Sequence, residues 1–207
     1  MTIQNKTETK NRNNRMERFV KRSTDILVSV PCLVLSSPLF VIISLAIKWE
    51  DGLPIIYKQE RIGLHGKPFN IYKFRSMKAD AEKDGPNLLE IEGDTRLTRV
   101  GKFIRTHHLD ELPQLWNILK GDMSFVGPRP ERQYFYEQFE KYIIGFSNRL
   151  VVTPGLTGYA QVNGGYELEP EEKIVYDMEY IEKRSVLMDI KCLVKTVSLI
   201  FTHEGAR

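Results

Sequence analysis

The pattern of apolar and polar positions changes character several times along this chain, and each change predicts an element. From Ile26 to Ile47, 22 residues run without a charge, long enough as a helix to reach across a bilayer. Pro31 and Ser37-Pro38 lie inside the run. A proline within a helix removes a backbone bond and bends the chain. Ser29, Ser36, Ser37 and Ser44 dilute the apolarity, and their hydroxyls can satisfy carbonyls freed at a bend. Lys21 and Arg22 precede the run, and Lys48, Lys58 and Arg61 follow it. Basic residues on both flanks suit a hairpin with both ends on the cytoplasmic side. The flanks would also attract anionic headgroups. A buried core helix is the alternative.

Beyond this run the periods shorten. Leu53 to Tyr57 and Phe69 to Phe74 read as short strands, with residues 63–68 as the turn between them. Lys73 and Arg75 close the second strand with two cations on one face, because strand side chains alternate. Residues 78–94 are charged and hold Gly85-Pro86, which predicts a short helix and then a loop. Arg96, Arg99, Lys102 and Arg105 follow. Tyr134 to Phe146 has helical spacing, residues 153–158 form a tight turn, and Pro170 opens a helix through Arg184. Ser185 caps a last helix that ends near His203. That helix is apolar on most sides and suits either a membrane interface or packing in a core or a homodimer.

The densest stretch is His107 to Pro130. Leu112, Leu115, Trp116 and Leu119 give a short helix one apolar face. Pro113 fits its first turn and Gly121 its end. Asp110 and Glu111 then fall at the positive end of that helix, where an anion is stabilised. Pro128 and Pro130 fix the backbone around Arg129, presenting its guanidinium at low entropic cost. A carboxylate pair facing an immobilised arginine suits chemistry on a phosphate. Arg105, five residues before the pair, is the best placed of the upstream cations to meet one. An isolated Asp-Glu is ordinary dipole complementarity, and the adjacent His107-His108 would point in different directions; the length and order of the whole stretch carry the argument.

Composition narrows the class. The chain has 207 residues, enough for one domain with a core, and a net charge of +3. That mild charge, without zinc-finger spacing or an RNA-binding aromatic signature, gives no reason to expect nucleic acid as a partner. Cys32 and Cys192 lack ligand or redox spacing. Residues 1–20 are polar, with basic residues outnumbering Glu8 and Glu17, and read as a mobile basic tail. A signal peptide fits poorly, because the basic region is too long and no small-residue cleavage site follows. The expected organisation is a flexible tail over 1–20, a membrane helix over 21–48, and a catalytic domain over 49–207.

The segments Lys73 to Met77, Leu109 to Asn117 and Lys120 to Pro130 resemble the bacterial sugar transferase family, the monotopic phosphoglycosyl transferases that begin capsule, exopolysaccharide and glycan assembly. The resemblance runs from about Lys21 to the C-terminus. It implies an α/β fold, mostly α with a small sheet, with interfacial amphipathic helices. A re-entrant membrane helix, kinked at Ser37 and Pro38, would hold the protein at the cytoplasmic face of the inner membrane. The family carries Gly-Pro before the first strand, where this chain has Gly52-Leu53-Pro54. The implied reaction moves a phospho-sugar from a UDP-sugar to undecaprenyl phosphate and releases UMP. Asp110 would be the nucleophile and a ligand of Mg²⁺, an ion that takes few protein oxygens. Glu111 would position the metal or take a proton from the acceptor phosphate. Lys73, Arg75, Arg105 and Arg129 would hold phosphates. The implied partners are both substrates, membrane lipids, a second copy of the chain and downstream glycosyltransferases. A scaffold of the same fold that catalyses nothing is the alternative, and direct transfer without a covalent intermediate is the rival mechanism.

Overall fold

The computed structural model describes residues 3–78, 81, 95–164 and 168–202, with side chains from Met16 to Ile200. It is mostly helical, with two small two-stranded sheets. Helix α1 runs from Ile3 to Asp51. The basic stretch expected as a mobile tail is therefore helical backbone from Ile3 on; it holds neither proline nor glycine, and extending an existing helix is far easier than nucleating one. α1 also stays helical through Pro31 and Pro38. Pro38 has no N–H for the Val34 carbonyl one turn back. The Ser37 hydroxyl donates to that carbonyl at 2.7 Å, so the Ser-Pro pair mends the ladder it opens.

Strands β1 (Ile56–Ile62) and β2 (Pro68–Phe74) form an antiparallel hairpin in which Tyr57 faces Lys73. β1 begins later and runs further than the expected Leu53 to Tyr57. Pro54 cannot donate to a ladder, so pairing starts beyond it. Apart from Lys78 and Ala81, the helix and loop expected over 78–94 lie outside the described residues. Helices α2 (Arg99–Thr106) and α3 (Gln114–Lys120) follow, then β3 (Ser124–Val126) and α4 (Gln133–Phe139).

α4 stops well short of Phe146. Gly145 takes a left-handed conformation at φ 84°, and a 3-10 helix over Phe146–Val151 follows. The Glu140 side chain accepts from the Gly145 and Ser147 N–H groups. The apolar residues read as one helical face still converge: Phe135, Tyr136, Phe139, Ile143 and Phe146 form one core cluster. The turn expected over 153–158 contains a strand, β4 (Gly155–Thr157), parallel to β3. A Cβ on Gly155 would lie 2.1 Å from the Gly127 nitrogen, so only glycine permits this approach.

α5 (Tyr159–Gly164), α6 (Pro170–Lys183) and α7 (Val186–Thr202) complete the described residues. Glu169 and Glu172 form a reciprocal cap on α6. Ser185 caps α7 as expected, its hydroxyl accepting from the Met188 N–H; the expected end near His203 lies outside the described residues.

α1 packs along the domain on both sides of Ser37-Pro38. Cys32 and Leu33 meet the cluster of Ile71, Leu115, Ile118 and Met123. Ile43 and Ile47 are buried with Phe74 and Ile104, and Leu39 and Phe40 pack against them. The opposite side, including Leu27, Val34, Leu35, Val41, Leu45 and Trp49, is exposed. Val186, Leu187, Ile190, Val194 and Val197 form a second exposed apolar stripe along α7.

Candidate active site

The site begins where α2 ends. Thr98 caps α2 by accepting from the Gly101 N–H. After Thr106 the chain turns through His108, which is left-handed at φ 54°. Leu109–Glu111 then form one turn of 3-10 helix, and Pro113 leads into α3. Asp110 and Glu111 therefore sit just ahead of α3, as expected, on a turn of their own. α3 ends at Gly121, left-handed at φ 95°. Its buried face includes Leu115 and Ile118, whereas Trp116, assigned to that face from spacing, is 52% exposed.

The dyad faces β2. Asn117 fixes this registration: its Oδ1 accepts from the Tyr72 N–H at 3.1 Å, and its Nδ2 donates to the Asn70 carbonyl at 2.7 Å. Lys73, next along the strand, brings its Nζ to 2.6 Å from Glu111 Oε1 and 4.0 Å from Asp110 Oδ2. Arg129 Nη2 reaches the same Glu111 oxygen at 2.5 Å. One carboxylate oxygen thus holds two cations, while Asp110, 5% exposed, lies at the longer distance from Lys73.

The electrostatics separate the two acids. Burial alone would raise the Glu111 carboxyl, but Arg129 and Lys73 outweigh it and hold the group well below the usual carboxylate range. Burial raises the Asp110 carboxyl; Lys73 opposes this, Glu111 adds to it, and Arg105 and Arg129 oppose it more weakly. Arg105 is thus within electrostatic reach of Asp110.

Arg129 is held through its backbone. The carbonyls of three consecutive residues each accept a bond: Pro128 from the Gly155 N–H at 2.9 Å, Arg129 from Arg149 Nη2 at 2.9 Å, and Pro130 from Arg61 Nη1 at 3.0 Å. Arg149 is paired with Asp177 of α6 at 2.6 Å, both side chains 2% exposed. Arg75 goes elsewhere. β2 ends at Phe74, so strand alternation no longer governs the next residue. Its guanidinium binds Asp51 Oδ2 at 3.1 Å and the carbonyls of Asp51 and Gly52 at the end of α1. The expected phosphate ligand is a clamp between β2 and the helix. Ser37 and Pro38 lie in α1 and take no part in the dyad's surroundings.

These residues fall within one matching region: the sequence model of the bacterial sugar transferase family covers residues 16–203. The chain belongs to the bacterial sugar transferase family. It is 43% identical over 192 residues, 91% of its length, to the UDP-N-acetylgalactosamine-undecaprenyl-phosphate N-acetylgalactosaminephosphotransferase of Aeromonas hydrophila. It is equally similar, over 196 residues, to the UDP-glucose:undecaprenyl-phosphate glucose-1-phosphate transferase of Escherichia coli K12. The chain spans less than half the length of these two relatives, 45% and 42%. An uncharacterised sugar transferase of Bacillus subtilis, 39% identical over 187 residues, matches across 90% of both chains.

In this bacterial sugar transferase the supporting residues were not visible from the sequence. Asn117 gave no signal, since it lies away from the face of Leu112, Leu115, Trp116 and Leu119 read from spacing and is buried only by packing against β2. Arg149 and Asp177 had none, since only the fold brings α6 beneath the Pro-Arg-Pro loop. The donor set also bears on Mg²⁺. Among the described residues no group of three or more His, Cys, Asp or Glu side chains converges, and Glu111 is engaged by two cations. Asp110 remains as a single carboxylate. That fits Mg²⁺, which commonly takes one or two carboxylates and completes its shell with substrate phosphates and water.

Proposed function

We propose that this chain transfers a phospho-sugar from a UDP-sugar to undecaprenyl phosphate at the cytoplasmic face of the membrane, and so begins assembly of a capsule, exopolysaccharide or glycoconjugate. The observation that carries the reading is the division between the acids: Glu111 engages Lys73 and Arg129, leaving the buried Asp110 beside the same cations as a nucleophile. The two relatives named for UDP-sugar and undecaprenyl-phosphate substrates support the substrate classes.

In the first step an Asp110 oxygen attacks the sugar-bearing phosphorus of the donor. The bond to the bridging oxygen breaks, and UMP leaves with that oxygen. In the second step an oxygen of the polyprenyl phosphate attacks the same phosphorus, releasing Asp110 and giving a diphosphate-linked sugar. Covalent catalysis divides an encounter of three phosphates into two smaller ones. Lys73, Arg129 and Arg105 stabilise charge that develops on the phosphoryl oxygens. Glu111 orients Lys73 and Arg129; an acid held so far below its usual range is a poor proton acceptor at neutral pH. Asp110 would hold Mg²⁺, which would supply positive charge against the phosphates.

Packing on both sides of Ser37-Pro38 supports a re-entrant anchor. If α1 crossed the bilayer, the domain packed along it would have to enter the hydrocarbon. With the exposed side of α1 in lipid and both ends on one face, the site lies at headgroup level, where a soluble donor and a lipid acceptor meet.

The test mixes purified protein with a UDP-sugar and Mg²⁺ but no lipid. One equivalent of UMP or less should appear in a burst, and the protein should gain the mass of a sugar phosphate. UMP that appears only after polyprenyl phosphate is added, with no adduct, would mean direct transfer in a ternary complex. A scaffold would release none under either condition.

A further inference from the structure

The segment that carries the dyad has two outer ends, and α1 holds both. α2 and α3 flank residues 107–113. At the start of α2, the Arg99 and Val100 N–H groups donate to the two carboxylate oxygens of Glu50 at 2.7 and 2.8 Å. At the end of α3, the Ile118 and Leu119 carbonyls accept from the two terminal nitrogens of Arg22, each at 2.6 Å. A helix leaves such groups without regular i→i+4 partners at its ends; the Ile118 carbonyl also accepts from the Gly121 N–H at 3.0 Å. The carboxylate meets the positive end of one helix and the guanidinium the negative end of the next, so both charges match the helix dipoles.

The two caps lie on one helix, about 40 Å apart measured along its axis at 1.5 Å per residue. Between them α1 packs against both flanking elements, through Ile43 and Ile47 near Ile104 and through Leu33 near Leu115. A third polar link, Asp25 Oδ1, accepts from the Ser124 hydroxyl and the Phe125 N–H on the strand that leads to Arg129. α2 and α3 have eight and seven residues, too few to be stable alone. The turn between them includes a left-handed histidine, a conformation that surrounding structure must maintain.

We propose that Glu50 and Arg22 are positioning residues for Asp110, and that the membrane helix is the outer frame of the active site as well as its tether. The inference rests on the transferase reading for its catalytic consequence, and on the caps alone for its structural one. Neither residue touches Asp110 or Glu111 among the contacts described, so losing a cap removes no group that would meet substrate. What it removes is the restraint that keeps α2 and α3 at a fixed spacing.

The experiment uses the full chain in lipid nanodiscs, comparing wild type with Glu50→Gln, Arg22→Gln and Arg22→Lys. Glu182→Gln, a charge change at an exposed position of α6, is the control. Hydrogen exchange is measured without substrate, and UMP release with UDP-sugar and polyprenyl phosphate. In both glutamine variants the Leu109–Leu112 amides should exchange about tenfold faster than in wild type, through local opening. The kcat should fall about tenfold, the scale of one charge-assisted hydrogen bond, with the UDP-sugar KM unchanged within about twofold. Arg22→Gln should act more strongly than Glu50→Gln, because its bonds are part-buried while those of Glu50 face solvent. Arg22→Lys should recover part of both effects, and Glu182→Gln should match wild type. Wild-type exchange at Leu109–Leu112 in both glutamine variants would overturn the proposal, as would faster exchange with unchanged kcat. If wild type released no UMP, the transferase reading would fail by itself, and the exchange data would still decide whether α1 holds the dyad.

Discussion

Glu111 and Arg129 meet at 2.5 Å through a carboxylate oxygen that also takes Lys73 at 2.6 Å. The acid therefore acts as an anchor for two cations. Glu111→Gln keeps the shape but removes the charge that both cations face. The adduct-forming and adduct-consuming steps should slow together, each by about 10- to 100-fold, the range for a charged hydrogen-bonded pair. Single-turnover measurements of each half-reaction check this. Slowing confined to the lipid-dependent step would instead identify Glu111 as the acceptor's base.

Asp110→Asn should abolish adduct formation and leave membrane association intact. It should also raise the melting temperature at neutral pH in Mg²⁺-free buffer. Burial, with Lys73 opposing, raises the Asp110 carboxyl in the folded protein. The folded state then binds more protons than the unfolded state between the ordinary and the raised value, so stability falls as pH rises through that window. Asparagine escapes this cost. The difference in melting temperature should shrink as pH falls below the ordinary carboxylate range, where both side chains are neutral. An Asn variant no more stable than wild type at pH 7 would refute the argument.

Arg149 and Asp177 form a fully buried pair beneath Arg129. Burial works against the charge on Arg149, but Asp177, Tyr136 and Glu131 outweigh it and hold its pKa above the usual value. Asp177→Asn leaves that charge poorly compensated and should destabilise the protein by about 3–5 kcal/mol. Replacing both residues, as Arg149→Met with Asp177→Leu, should recover much of the stability, since apolar pairs often substitute well for buried ion pairs. It should not recover transfer, because the Arg129 carbonyl still lacks its donor. Chemical denaturation and UMP release, measured side by side, separate the two effects.

Cysteines introduced near residue 10 and near residue 65 should show the same sidedness when labelled in intact cells. Opposite sidedness would mean that α1 crosses the membrane. Replacing Ser37 and Pro38 by Ala and Leu restores the backbone donor that Pro38 lacks and removes the ring that bends the chain. This variant should shift the population toward a straight, crossing helix.

The sequence by itself determined the long apolar helix, the β1–β2 hairpin and the family. A charge-free run of 22 residues requires an apolar helix, and Ser37 beside Pro38 already contained the hydroxyl that mends the Val34 carbonyl. Asp110, Glu111 and Arg129 were legible because they lie in one short stretch punctuated by proline and glycine. Tertiary structure decided what each charge does. Lys73 and Arg75 are two residues apart and looked equivalent. Asn117 ties the strand so that Lys73 meets the dyad, while the strand ends at Phe74 and releases Arg75 to Asp51. Local periodicity reports which face a residue occupies within its own element. It carries nothing about which distant backbone group that face will meet, because such pairings depend on how the elements pack. That is why Arg149 beneath Arg129, and Glu50 and Arg22 at the two ends of the segment that carries the dyad, emerge only from the folded chain.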